Sequence, residues 1–267
     1  ESMEGGAVGF STSRFLQHKV PDGRCTPGTW ADLRETKAIQ EAVVAGGGRG
    51  ALFQSANDMA TRYETELQMF RDGMEAGCQV LFSGGTGAEG DGGVGRWSEF
   101  LDAGNQDGKR ITSICHTRPS GAFFGLAQLS PFTQKSKAWR ELMALPTIGD
   151  RVAAMRNPKT RETLIAEGIA AGDLRGLARM LHPFGIGDTP DLDFDRKASL
   201  AQLAKEEGKD PVEVYVDRLI ASEGREFFNM WMFGGALENQ WKYMQLPHVV
   251  PMLGDAGAHV GFFTDTD

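Results

Sequence analysis

The stretch KRITSICHTRP, residues 109–119, decides the fold, because it is the fourth short apolar run in the first half of the chain. Each run is followed by a polar or glycine-rich loop, which is how a buried strand ends. The sequence therefore predicts four strands, the first three lying in GAVGFSTS (6–13), GALFQSAND (50–58) and CQVLFSGG (78–85).

Amphipathic stretches separate these runs. Apolar residues recur at helical spacing over 32–45, 60–75 and near 96–103, which predicts a helix in each range. Strand and helix that alternate about every 30 residues are typical of right-handed βαβ units. The first part of the chain is thus predicted to be an α/β fold on a parallel sheet.

Residues 119–246 differ, since they hold several well-marked helix starts and no convincing strand. HVVPMLG (248–254) then returns to strand character. We expect a helical insertion at about 120–246 that forms a lid over the carboxyl edge of the sheet. Six aromatic residues could wall a pocket there or form ordinary core: Phe123, Phe124, Phe132, Trp139, Trp231 and Phe233.

The two ends suggest that the sequence is an internal segment of a longer protein. It does not begin with Met, and no helix follows the last predicted strand, although a parallel unit needs one to cover its outer face. Unpaired strand edges promote aggregation, so we expect the isolated segment to aggregate.

Composition excludes several classes of function. The net charge of −8 argues against binding to nucleic acid or to an anionic membrane surface. No apolar run approaches the ~20 residues that span a bilayer, and no signal peptide is apparent. Three cysteines are an odd, sparse set that fits reduced thiols in the cytoplasm. The oligomeric state is left open.

The loop Gly85–Gly90 has the pattern G-x-G-x-x-G after a predicted strand. A dinucleotide site needs that loop to run into a helix whose amides hold the pyrophosphate. Here the loop runs into DGGVG (91–95), which is too rich in glycine to predict a helix start, and Glu89 and Asp91 would repel a phosphate. An ordinary strand-to-helix loop is the favoured interpretation.

Three residues could carry chemistry at the carboxyl ends of the strands, where parallel barrels build their active sites. His116 and His259 each follow the apolar part of a strand, and Asp255 in LGDAGAH has only small neighbours. Asp255 could instead cap a helix or form an Asx turn, and His116 could be a structural histidine. His18 in the first loop and His182 in a helical stretch are interpreted as structural or solvated, and His248 is expected at the amino-terminal side of the last strand, away from such a site.

PHVVPMLGDAGAHVGFFTD (247–265) resembles the last barrel strand of the amidohydrolase superfamily, in its N-acyl-D-amino-acid deacylase branch. GGAVGFSTSRFLQHKVPDGRCTPGTW (5–30) is similar to the fourth-strand segment of that branch. The resemblance implies a partial (β/α)8 TIM-type barrel, roughly strands four to eight, with a helical insertion between the last two strands.

The resemblance also implies a metal-dependent hydrolase for the C–N amide bond of an N-acyl amino acid or a similar small amide. Asp255 would bind the metal and act as general base. His116 and His259 would be second-shell or substrate-binding residues, and Arg118 would hold a substrate carboxylate unless it makes a surface salt bridge.

The implied metal is zinc, as one ion rather than two. Well-studied members of the superfamily place histidines at the ends of the fifth and sixth strands, and the corresponding residues here are Gln54, Ser55, Asn57 and Ser83. The remaining ligands are expected before residue 1. Two alternatives stay open: a non-catalytic barrel that binds a small ligand, and a nucleotide-dependent oxidoreductase that uses Gly85–Gly90.

Overall fold

A computed structural model describes residues 1–16, 18–20, 24–59, 61–87, 89–117, 120–133, 135–171, 182–184, 199–233, 236–252 and 263–264. The chain divides into two compact units. Unit 1 comprises Glu1–Pro119, Phe233–Val260 and Thr266–Asp267, and unit 2 comprises Ser120–Met232 and Gly261–Asp265.

The described residues form strands and helices that we number separately in chain order. The strands are β1 (Gly9–Ser13), β2 (Leu52–Ala56), β3 (Gln79–Ser83), β4 (Arg110–His116), β5 (Ser120–Phe124), β6 (His182–Phe184), β7 (Phe227–Phe233), β8 (Val249–Met252) and β9 (Phe263–Thr264). The helices are α1 (Leu33–Gly47), α2 (Tyr63–Ala76), α3 (Val94–Gly104), α4 (Lys137–Met143), α5 (Ile148–Arg156), α6 (Pro158–Ala170), α7 (Leu200–Glu207), α8 (Pro211–Ala221) and α9 (Leu237–Met244).

Unit 1 is built on a five-stranded sheet in the order β1-β2-β3-β4-β8, and every neighbouring pair is parallel. The strand order follows the chain without reversing, with one helix between each of the first four strands. The predicted α/β fold on a parallel sheet is therefore confirmed. The four strands and three helices predicted in the first half all form, with ends shifted by a few residues.

The two faces of this sheet differ. One face carries Phe53, Val80, Phe82 and Ile111, all fully buried in a core that also includes side chains of α2 and α3. The opposite face is partly exposed, and we call it the open face. Its residues are Gly9, Ser11, Ser13, Leu52, Gln54, Ala56, Gln79, Leu81, Ser83, Arg110, Thr112, Ile114, His116, Val250 and Met252.

Unit 2 contains strands, which corrects the expectation of a purely helical insertion at about 120–246. Its four-stranded sheet has the order β6-β7-β5-β9, with β6–β7 and β5–β9 antiparallel. The run FFNMWMF of β7 is apolar without alternation, and periodicity cannot separate such a run from a buried helix. His182 accordingly lies in β6 rather than in a helix.

The helix starts predicted in unit 2 are confirmed by side-chain caps. The Asn157 side chain accepts hydrogen bonds from the backbone N–H of Lys159 and Thr160, with Pro158 in the first turn. Ser199 and Asp210 cap α7 and α8 in the same way. Each cap satisfies amides that have no partner within the helix.

An aromatic cluster forms the core of unit 2. Trp139, Tyr215 and Phe132 are fully buried, and the ring centroids of Tyr215 and Phe228 lie 4.5 Å apart. Phe124 belongs to the same core, so this residue, Phe132 and Trp139 pack as ordinary core and not as pocket walls. The side chains of Trp231 and Phe233 lie outside the described residues, and the lid stays a prediction.

We predict opposite effects of Gly→Ala at two helix glycines of unit 2. A Cβ on buried Gly168 of α6 would lie 2.6 Å from Val212 Cγ1 of α8, so overpacking should lower the free energy of unfolding by about 1–3 kcal/mol. Gly149 of α5 is exposed, and the nearest side-chain atom to an added Cβ would be Thr147 Oγ1, 3.7 Å away. Gly149→Ala should therefore raise the free energy of unfolding by up to about 1 kcal/mol. Urea unfolding followed by circular dichroism measures both; an equally stable Gly168→Ala protein would contradict the packing of α6 on α8.

Candidate active site

The carboxyl ends of the five parallel strands of unit 1 meet at one edge of the sheet. Open-face residues at this edge include Ser13 of β1, Ser83 of β3 and His116 of β4, and Asn57 directly follows β2. The Asn57 side chain donates to the Ser83 carbonyl oxygen over 2.9 Å, which joins the ends of β2 and β3. In parallel sheets this edge is where ligand sites form.

His116, at the end of β4, is the predicted site residue that the described structure contains. It is half-buried and pairs in register with Met252 of β8. The Gln240 side chain of α9 donates to the His116 carbonyl oxygen over 2.5 Å, and Thr86 Oγ1 donates to Gln240 Oε1 over 3.0 Å. The α9 helix and the loop after β3 thereby fix the backbone at this end of β4.

The other three predicted site residues, Asp255, His259 and Arg118, lie outside the described residues. Their chain positions can still be compared with the strand register. Arg118 follows His116 by two residues, and Asp255 follows Met252 by three. His116 and Met252 are register partners, so the described parts of β4 and β8 end side by side at the carboxyl edge of the sheet.

A metal site is not complete within the part of the chain that the structure describes, where no group of three His, Cys, Asp or Glu side chains could hold an ion. Along the open face at the carboxyl edge, the described donors are one imidazole and neutral hydroxyl and amide groups. Structural and catalytic zinc sites use at least three nitrogen, sulfur or carboxylate ligands. The described residues alone therefore do not fit a zinc ion.

The ionisable groups on and against the buried side of β4 are uncharged at neutral pH. Burial raises the pKa of the Cys115 thiol to about 11, and it raises the pKa of the Tyr243 hydroxyl, which lies 2.7 Å from Ser113 Oγ. Both groups are protonated at neutral pH. The Ser113–Tyr243 pair acts as a structural link between β4 and α9.

The expectation that no helix starts within DGGVG, after the Gly85–Gly90 loop, is wrong, because α3 begins at Val94. Asp91 explains how this start forms. Its carboxylate accepts from the amides of Gly93 over 2.9 Å and Gly95 over 3.0 Å, and these bonds lower the pKa of Asp91. The amides that would hold a pyrophosphate are thus already bonded to a carboxylate, which disfavours the dinucleotide interpretation.

A buried ion pair after β1 was not predicted from the sequence. Arg14 Nε donates to both oxygens of Glu66, over 2.9 and 3.1 Å, and both side chains are at least 98% buried. Arg14 also donates to the Ala31 carbonyl oxygen, and Arg62 donates to the carbonyl oxygens of Arg14 and Thr29. These bonds connect both ends of the loop after β1 to α2.

This loop borders a cleft of about 570 Å³ in unit 1. Within the cleft, Ser13 Oγ lies 2.5 Å from His18 Nδ1. The sequence predicts a structural or solvated His18, because a histidine in a loop carries no signal of its partner. The described residues that line the cleft are Phe10, Ser11, Thr12, Ser13, His18, Thr26, Pro27, Gly28, Ala31, Glu35, Thr36, Ile39, Phe53, Gln54 and Ala56.

We predict that Asp91→Ala destabilises the start of α3 at neutral pH. The folded state lowers the pKa of Asp91, so the carboxylate stabilises the fold above its unfolded pKa of about 3.9. That contribution disappears as the pH falls through the lower folded pKa. Thermal melts should therefore give a lower melting temperature for Asp91→Ala than for wild type at pH 7. The gap between the two melting temperatures should narrow below pH about 4. Glu89→Ala, an equal charge change in the same loop, is the control and should show no such pH dependence.

We also predict that Arg14→Met lowers the free energy of unfolding by about 3–5 kcal/mol, because it leaves the Glu66 carboxylate buried without the guanidinium that donates to both of its oxygens. Burial already raises the pKa of Glu66, and Arg14 opposes that rise. The control is Arg34→Met, since Arg34 is 93% exposed in its ion pair with Asp32 and should contribute less than about 1 kcal/mol. Equal denaturation midpoints for the two variants would contradict a buried ion pair.

Comparison with known proteins assigns the chain to no family. No protein-family model matches the chain, and no curated protein and no solved structure matches it. Among the described residues, no helix combines the length and apolar character needed to cross a membrane.

Proposed function

We propose that the chain is part of a (β/α)8 barrel that acts as a metal-dependent amidohydrolase, a hydrolase for C–N bonds other than peptide bonds. The substrate would be an N-acyl amino acid or a similar small amide. The observation that carries the proposal is the pairing of β4 with β8, because His116 ends one strand and DAGAH follows the other.

The sheet of unit 1 supports a barrel. Its strand order follows the chain in one direction, whereas open doubly wound sheets reverse order at a switch point. One face is apolar and covered by helices, while the open face carries small and polar residues such as Ser11 and Gln54. All-parallel sheets have both faces covered, and closure into a barrel would cover this one.

In the proposed reaction, Asp255 accepts a proton from the attacking water and delivers it to the leaving nitrogen. His116 orients this carboxylate or binds the substrate carbonyl, with His259 as a second candidate for the same task. Arg118 holds the substrate carboxylate through a bidentate pair. If a divalent ion such as zinc is bound there, it would supply Lewis-acid polarisation of the substrate carbonyl. Its donors would be Asp255 and residues beyond those described.

A second candidate is a barrel of the same fold that binds a small ligand without catalysis. It is favoured by the neutral residues Asn57, directly after β2, and Ser83, at the end of β3, where the superfamily resemblance leads one to expect histidines. Metal content distinguishes the two candidates, because the binding protein would carry no stoichiometric ion at this edge.

We predict that Asp255→Asn, tested in the complete protein, lowers kcat for amide hydrolysis about 10²-fold or more, since the amide keeps the shape and removes the basic oxygen. Turnover of a panel of N-acyl amino acids measures the effect. Asp107→Asn is the matched control: Asp107 is exposed in a turn with φ 54°, a conformation that asparagine also adopts, and kcat should not change.

Elemental analysis of the same samples separates two roles for Asp255. Loss of metal with loss of turnover would indicate a ligand, and retained metal with loss of turnover would indicate a general base. Near wild-type turnover by Asp255→Asn would remove this residue from the mechanism.

A further inference from the structure

We propose that Ser13 and His18 form a nucleophile–base pair in the cleft beside β1, which would accept the acyl group of a small activated ester. The proposal is independent of the amidohydrolase reaction, because it uses neither Asp255 nor a metal ion. It rests on three features of unit 1: the contact between the two side chains, the bonds that fix the loop carrying His18, and the lining of the cleft.

The first feature is the contact itself. Ser13 is the last residue of β1, and its Oγ lies 2.5 Å from His18 Nδ1, with both residues partly exposed. A neutral imidazole with its proton on Nε2 accepts the serine hydroxyl proton at Nδ1. A serine within hydrogen-bond distance of such a base is the arrangement that activates a hydroxyl as a nucleophile.

The second feature is that the imidazole has a fixed support. The His18 backbone N–H donates to the Phe15 carbonyl oxygen over 3.1 Å, and the Thr26 N–H donates to the His18 carbonyl oxygen over 3.3 Å. The Phe15 ring meets the imidazole edge-on, with centroids 5.2 Å apart. Arg14, next to Ser13, is held by the buried ion pair with Glu66. A supported base loses less entropy when it reaches the transition state.

The third feature is the lining of the cleft. Gln54 is the register partner of Ser11, whose hydroxyl donates to Gln54 Oε1. This bond leaves the Gln54 Nε2 as a donor in the cleft that also holds Ser13, and a carboxamide donor can stabilise an oxyanion. Pro27 and Ala31 line the same cleft and offer apolar surface to a short acyl chain.

The reaction would proceed in two balanced steps. Ser13 Oγ forms a bond to the ester carbonyl carbon, its proton passes to His18 Nδ1, and the alkoxide leaves with that proton as an alcohol. Water then attacks the acyl-serine, again giving a proton to His18, which returns it to Ser13 Oγ as the carboxylic acid is released. No further co-reactant is needed.

The test uses a fluorophosphonate, which bonds covalently to activated serines, on the purified protein at neutral pH. Peptide mass mapping should find the label on Ser13 of the wild-type protein. His18→Gln should slow labelling about 10²-fold or more, because the general base is removed. Ser13→Ala should abolish labelling at this site and hydrolysis of p-nitrophenyl acetate. Ser98→Ala is the control: the Ser98 hydroxyl of α3 donates to the Asp102 carboxylate over 3.4 Å and not to an imidazole, so both rates should stay unchanged.

Absence of label on Ser13, or equal labelling rates in wild type and His18→Gln, would overturn the proposal. Mapping on the wild-type protein does not depend on whether a variant folds. The same assays with a metal chelator separate this site from the proposed amidohydrolase: labelling of Ser13 should persist in chelator, whereas metal-dependent amide hydrolysis should stop. Loss of labelling in chelator would also count against a metal-independent pair.

Discussion

The pairing of β4 with β8 is the constraint on which unit 1 depends. Four strands of its sheet follow one another closely in the chain, and the fifth comes only after Ser120–Met232 of unit 2. The loop-closure cost of pairing at long sequence separation rises only slowly with loop length, and the insertion has a core of its own, so the pairing tolerates it. The ladder from Ser113–Val249 to His116–Met252 then determines which chain segments reach the carboxyl edge together.

That edge is held by polar contacts from the loops around it. Gln240 of α9 bonds the end of β4, Asn57 joins β2 to β3, and Arg14 with Glu66 ties the end of β1 to α2. Buried polar groups are costly unless they are paired, so the contact between buried Arg14 and Glu66 restricts the end of β1 to a narrow set of conformations. The result is a set of loops that is fixed well enough to position side chains.

Two reactions are proposed at this edge, amide hydrolysis and acyl transfer to Ser13, and they use different residues. The proposed amide hydrolysis would use Asp255, which follows β8 in the chain, and His116 at the end of β4. The proposed acyl transfer would use Ser13 and His18, which are in contact within unit 1. One depends on a metal ion and the other does not, so the two can be judged separately.

The sequence by itself determined the α/β class, the alternation in the first half and the helix caps at Asn157, Ser199 and Asp210, because periodicity and capping are local properties. It did not reveal the strands of unit 2, since continuous apolar runs such as FFNMWMF carry no period. It also missed the start of α3 at Val94, where Asp91 compensates for the glycines. Only the tertiary structure decided that Arg14 meets Glu66 and that His18 meets Ser13. Those contacts depend on how the loop after β1 folds back onto the sheet edge, and no local pattern of residues predicts which side chains that fold brings together.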